Sequence, residues 1–174
     1  PCLGLNGGIT LAVDQRGAAR SGSSLESGAF ELIGDPAFCA GVPNSTGQLA
    51  ALQCSGDQVA ANGRFSLHAS SVPEGSFAFF LVGDGIQSTT PMGSQGLFCV
   101  GGSIGRFDRS ALQEVMRAGA SGTIALTVDL TSVPSGVGAQ TIVAGETRYF
   151  QLWFRDRNPM PTSNFSQAIG VSFE

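Results

Sequence analysis

The chain has 174 residues, 42% of them apolar and only 13% charged, with 25 Gly and 8 Pro; this excludes a disordered polyelectrolyte and a Glu/Lys-rich helical bundle, and suits one domain with an appendage. All nine basic side chains are Arg, scattered along a chain of formal charge −4, so neither nucleic acid nor an anionic membrane is an expected partner. The longest apolar run, Phe77–Val82, falls far short of the roughly 20 residues that cross a bilayer, so no membrane insertion is expected.

Period-2 alternation and β-branched or aromatic runs bounded by Gly, Pro, Asn and Ser recur along the chain. In order they predict strands over Gly8–Asp14, Ala29–Ile33, Gln48–Gln53, Arg64–Ala69, Phe77–Gly83, Gly96–Val100, Thr123–Leu130, Arg148–Arg155 and Ala168–Phe173, with weaker candidates at Ile104–Phe107 and Thr141–Val143. Turn chemistry separates them at Asn62-Gly63, Pro73-Glu74-Gly75, Gly83-Asp84-Gly85, Pro134-Ser135-Gly136 and Asn158-Pro159. Ser110–Arg117 reads equally well as a two-turn helix or a strand. Many short strands without alternating long helices predict an all-β fold, a two-sheet antiparallel β-sandwich of about nine strands with long loops.

Residues 1–37 differ in texture, since Gly17–Gly28 has linker composition and detaches the strand-like Gly8–Asp14 from the domain expected over 38–174. That strand either joins its own sandwich through a long loop or completes the sheet of a neighbouring molecule. The chain starts at Pro1 without Met, as expected of a processed form or an excised segment.

Four cysteines, Cys2, Cys39, Cys54 and Cys99, occur with no CxxC pair and one histidine, so two disulfides and an extracellular or cell-surface setting fit better than a zinc site. Candidate chemistry is sparse. Gly101-Gly102-Ser103-Ile104-Gly105 matches G-x-S-x-G, but the histidine, His68, precedes Ser103 and lies on the polar face of its strand, so no catalytic residue is assigned. Asp84, Asp156 and Asn158 sit in turns without Ca²⁺-loop spacing, and neither a metal nor a cofactor is expected. Asn44-Ser45-Thr46 and Asn164-Phe165-Ser166 match the N-glycosylation pattern.

Arg148–Arg155 (RYFQLWFR) carries aromatics on both faces, as a central strand covered on both sides would. Phe150, Leu152 and Phe154 form one face. Tyr149, Gln151, Trp153 and Arg155 form the other, which is either a sugar-binding platform or a second packed face in which Arg155 bonds carbonyls or Asp156.

Phe38-Cys39 with Pro43-Asn44-Ser45-Thr46-Gly47, then Leu97-Phe98-Cys99-Val100-Gly101-Gly102 with Ile104-Gly105-Arg106-Phe107, then Gly145–Asp156 (GETRYFQLWFRD) and Thr162–Ser166 (TSNFS) occur in that order. This set resembles a functionally uncharacterised family of secreted β-rich bacterial domains with CxPNSTG, GxLCVxGxIxR and FQxWFRD motifs. The resemblance covers residues 38–174 and implies a secreted β-rich domain without bringing an activity. It also implies a Cys39–Cys99 disulfide, which leaves Cys2 for Cys54. Physically, Pro43–Gly47 is turn chemistry in which Gly47 takes positive φ. Asn44, Thr46, Arg106, Arg155 and Asp156 are expected to form a structural clasp that fixes this irregular backbone.

The function expected is a non-catalytic secreted structural or adhesive domain, self-associating or binding other surface proteins as a cell-surface or filament subunit. The alternative is a carbohydrate-binding module of a degradative enzyme, with polysaccharide on Tyr149, Gln151 and Trp153.

Overall fold

The structure, a computed structural model, describes residues 35–56, 58–60, 65–107 and 116–174. The chain divides into residues 1–33 and 34–174, and every described residue belongs to the second unit. Cys2, the expected strands Gly8–Asp14 and Ala29–Ile33 and the Gly17–Gly28 stretch lie outside the described residues, as does the donated-strand reading built on them.

Twelve strands and no α-helix occur among the described residues: β1 Asp35–Phe38, β2 Ala51–Gly56, β3 Phe65–Ser70, β4 Phe77–Gly83, β5 Gly85–Thr89, β6 Phe98–Gly101, β7 Gly105–Arg106, β8 Met116–Arg117, β9 Ile124–Val128, β10 Thr147–Arg157, β11 Pro161–Phe165 and β12 Ala168–Ser172. All pairings between these strands are antiparallel. One sheet runs β1-β12-β10-β4-β7, with β11 on β10 and β8 on β4; a second runs β2-β3-β9, and β5 pairs with β6. The part of Ser110–Arg117 that is described, Met116–Arg117, is strand. Thr141–Val143 is not a strand, although Ile142 N–H still donates to Leu130 carbonyl at 2.8 Å.

Alternation decides which face each strand buries. On β10, Phe150, Leu152 and Phe154 are fully buried; on β4 the inward set is Ala78, Phe80 and Val82, and on β3 it is Phe65, Leu67 and Ala69. These side chains join one apolar cluster shared by the seven-stranded and three-stranded sheets. Phe65 of β3 meets Phe150 of β10 at 5.5 Å and Phe173 at 5.3 Å between ring centroids, so aromatic rings bridge the two sheets. Each such buried ring contributes about 2–3 kcal/mol from apolar area removed from water. β12 is buried along most of its length because it lies between β1 and β10.

One disulfide, Cys39–Cys99, joins the residue after β1 to β6 across a sequence separation of 60. The expected second bridge is corrected: Cys54 is a free, buried thiol. It sits two residues after Leu52 on the inward face of β2, where a lone thiol packs as a small apolar side chain.

The β5–β6 pair covers part of the outer face of the large sheet. Gly83, at the end of β4, shows why: a Cβ there would collide with Gly101 carbonyl oxygen and the Val100 side chain. Only a residue without a side chain lets β6 approach so closely.

Candidate functional site

Three polar clusters and one exposed face emerge from this frame. The first cluster is the turn at Pro43–Gly47. Asn44 is 2% exposed; its amide donates to Ser71 carbonyl at 2.6 Å, and its Oδ1 accepts from Thr46 N–H at 2.9 Å and Thr46 Oγ1 at 2.6 Å. Gly47 takes φ +79°, as the turn requires. Asp156, at the end of β10, accepts from Ser45 N–H at 3.2 Å and from its neighbour Arg157 N–H at 2.8 Å. Asn164 of β11 donates to Val42 carbonyl at 3.1 Å and accepts from Phe165 N–H at 2.8 Å. The structure therefore brings Asn44, Thr46 and Asp156 together at this turn. With both Asn44 and Asn164 buried and bonded, the two glycosylation-like sequences serve the fold.

Arg155 stands apart from these three side chains. Arg155 precedes Asp156 on a strand, so its side chain projects from the opposite face, where its guanidinium lies over Trp153 at 5.8 Å. Arg106 lies over Phe79 at 5.1 Å.

The second cluster surrounds Gln151, which is fully buried. Its Oε1 accepts from Cys99 N–H at 2.9 Å, and its Nε2 donates to the carbonyls of Leu97 and Ser166, each at 2.8 Å. Beside it, Ser166 Oγ accepts from Leu152 N–H at 3.0 Å and donates to Gln167 carbonyl at 2.7 Å. Gln151 thus fastens the disulfide-bearing segment to β10 and is unavailable to a sugar. Of the two readings the sequence leaves open for this face, Gln151 follows the packed one; the signal is a lone amide amid aromatics on a central strand, which must find buried partners.

The third cluster holds Ser103, Asp84 and Arg148. Asp84 Oδ1 accepts from Ser103 N–H at 2.8 Å, Ser103 Oγ accepts from Gly136 N–H at 3.1 Å, and Arg148 pairs with Glu146 at 3.0 Å and Asp84 at 4.0 Å. Ser103 and Arg148, with Pro134 and Gln140, line a small recess. His68 lies on β3 and shares a hydrogen bond with Ser55 Oγ at 2.7 Å, so the structure does not bring it to Ser103. No group of three or more His, Cys, Asp or Glu side chains stands together among the described residues. Of the turn residues considered for Ca²⁺, Asp84 and Asp156 take the partners above, and Asn158 donates to Pro43 carbonyl at 3.5 Å.

What remains is the part of the outer face that β5–β6 leaves uncovered. Register puts Trp153 opposite Phe79 and Leu81 opposite Arg106, while Phe77 pairs with Arg117 on β8. Trp153 and Phe79 stack at 4.5 Å with 17° between their planes, with Arg155 over Trp153 at 5.8 Å and Arg106 over Phe79 at 5.1 Å. Arg117 covers Phe77 at 3.7 Å and also donates to Gly75 carbonyl at 3.3 Å. Phe77 is 39% exposed, Trp153 and Phe79 are half-buried, and all three arginines are exposed. Tyr149, farther along β10, packs edge-on against Phe38 at 5.7 Å.

The ring faces a sugar would lie on are therefore already in use. No family model matches the chain, and no curated protein or solved structure matches it either. The functional reading rests on this geometry and its chemistry.

Proposed function

We propose that this chain is a non-catalytic, secreted adhesion domain, a disulfide-braced β-sandwich that acts at the cell surface or in extracellular material. Its working surface is the uncovered outer face of the large sheet. One observation carries this reading: the buried and loop-bound polar groups are engaged in holding backbone, whereas the Trp153–Phe79–Phe77 face combines exposed aromatic surface with the exposed guanidinium groups of Arg117 and Arg155. Exposed aromatic–Arg surface of this composition is enriched where proteins bind partners. The Cys39–Cys99 bridge supports the setting, because such bonds persist in oxidising compartments. The four-motif resemblance to secreted bacterial domains points the same way.

The test is surface retention. Beads carrying the domain are settled on isolated cell envelopes, extracellular polymer and bare glass, then washed under shear. Wild-type beads should stay on the biological surfaces, and beads with Arg117→Glu/Arg155→Glu should wash off. Equal retention of both, or retention of neither, contradicts the proposal.

A further inference from the structure

We infer that the ligand of this face is an acidic, carboxylate-bearing polysaccharide, held through the edges of Arg117 and Arg155; this rests on the adhesion reading above. The argument starts from what each group has left to offer. A guanidinium stacked on a ring uses its π-face, while its five N–H donors lie in the guanidinium plane and still point outward. Arg117, 3.7 Å from the Phe77 centroid with one N–H on Gly75 carbonyl, and Arg155, 5.8 Å from the Trp153 centroid, keep further donors for a ligand, and their ring partners hold them in place without neutralising them. Stacking also lowers the side-chain entropy lost when a bond forms, since the guanidinium is already positioned.

The charge pattern selects the partner. The chain is acidic overall, at −4. Yet the outward positions of β10 from Tyr149 on are Tyr, Gln, Trp, Arg and Arg, those of β4 are Phe, Phe, Leu and Gly, and β7 and β8 add Arg106 and Arg117. None of these outward positions on β10, β4, β7 and β8 is acidic; Asp35 of β1, which register sets opposite Gly170, lies at the far edge of the sheet. Arg155 and Arg117 flank Phe77 from two strands apart, roughly 10 Å by ordinary strand spacing, so one linear polyanion can engage both.

Two competing ligands fit less well. A neutral polysaccharide or a single-stranded nucleic acid would need a free aromatic face for its pyranose ring or base. Here Trp153 and Phe79 stack on each other, with Arg155 over Trp153 and Arg106 over Phe79, so their ring faces already have partners within the protein. Recognition passes from the rings to the N–H donors, which prefer carboxylates in bidentate geometry.

The experiment is native affinity electrophoresis of the whole chain in gels cast with polygalacturonate, dextran or a single-stranded oligonucleotide, alongside light scattering. Polygalacturonate should retard the wild type and dextran should not. Arg117→Gln and Arg155→Gln should each weaken retardation roughly tenfold, the low end for a charged hydrogen bond, with melting temperature unchanged. Added salt should weaken it as well. The inference is overturned if polygalacturonate gives no retardation, if both variants migrate as wild type, or if the oligonucleotide retards the protein as strongly. A dimer that the arginine variants abolish would also overturn it, making a second copy the occupant. Shear-resistant bead retention without polygalacturonate retardation would sink the ligand class and leave adhesion standing; loss of both would sink both.

Discussion

Replacing Gln151 by Leu keeps the side-chain volume similar and removes the amide. In the folded protein this strands Cys99 N–H and the carbonyls of Leu97 and Ser166, all of which Gln151 serves inside a fully buried site. A buried group left without its partner costs about 1–3 kcal/mol, and three of them acting together give a loss of roughly 3–9 kcal/mol. That is a large share of the 5–15 kcal/mol typical of a whole domain, and at roughly 2–4 °C per kcal/mol it lowers the melting temperature by about 6 °C or more. Urea titration followed by Trp153 fluorescence measures the loss, and the slope should stay constant if only stability changes. A loss below about 1 kcal/mol would show that the Gln151 amide is solvated. β6 would then not cover this part of the face, and an open platform of Tyr149, Gln151 and Trp153 would return.

Removing the Cys39–Cys99 bridge as the double Ala variant should cost about 4 kcal/mol, the chain-entropy value for the 60-residue separation; a melting temperature unchanged in that variant would show that the bridge constrains nothing. Burial pushes the Cys54 thiol above its ordinary value of 9.0, so native protein should resist alkylation at Cys54 and urea-unfolded protein should not. Because the folded value is the higher one, this contribution to stability is complete below about pH 9 and is lost as pH rises through the folded value; peptide mapping that finds Cys54 joined to Cys2 would refute the free-thiol assignment. Gly83→Ala should force β6 away from β4, exposing Gln151 and raising hydrogen exchange at Cys99 N–H, whereas wild-type exchange rates would contradict the close approach at Gly101.

Alternation made the strands that position the site legible. Phe77–Gly83 is the strand expected from its run of apolar residues, and Arg148–Arg155 is the centre of β10, paired on both sides as aromatics on two faces require. β5 and β11 escaped notice for a shared physical reason: GIQST and PTSNF are short and polar, and ladder hydrogen bonds to stronger neighbours hold them. The turn cluster was legible as far as turn chemistry reaches, through Asn44, Thr46 and Asp156. Arg155 stands apart because strand parity alone separates adjacent side chains. The even cysteine count suggested two bridges, but Cys54 follows the inward period of β2. The exposed face was hidden because Arg106, Arg117 and Arg155 are far apart in sequence and meet only through register, so scattered charges become a local cluster on an acidic chain.

Trp153 is the chain's single tryptophan, and it stacks on Phe79 with Arg155 over it on the proposed surface. Iodide quenching of its fluorescence, with and without polygalacturonate, reports directly on that surface. The account predicts ready quenching of the free protein, clear protection by the polymer, and no protection in the Arg117→Gln/Arg155→Gln variant. Quenching that polygalacturonate leaves unchanged in the wild type would contradict it.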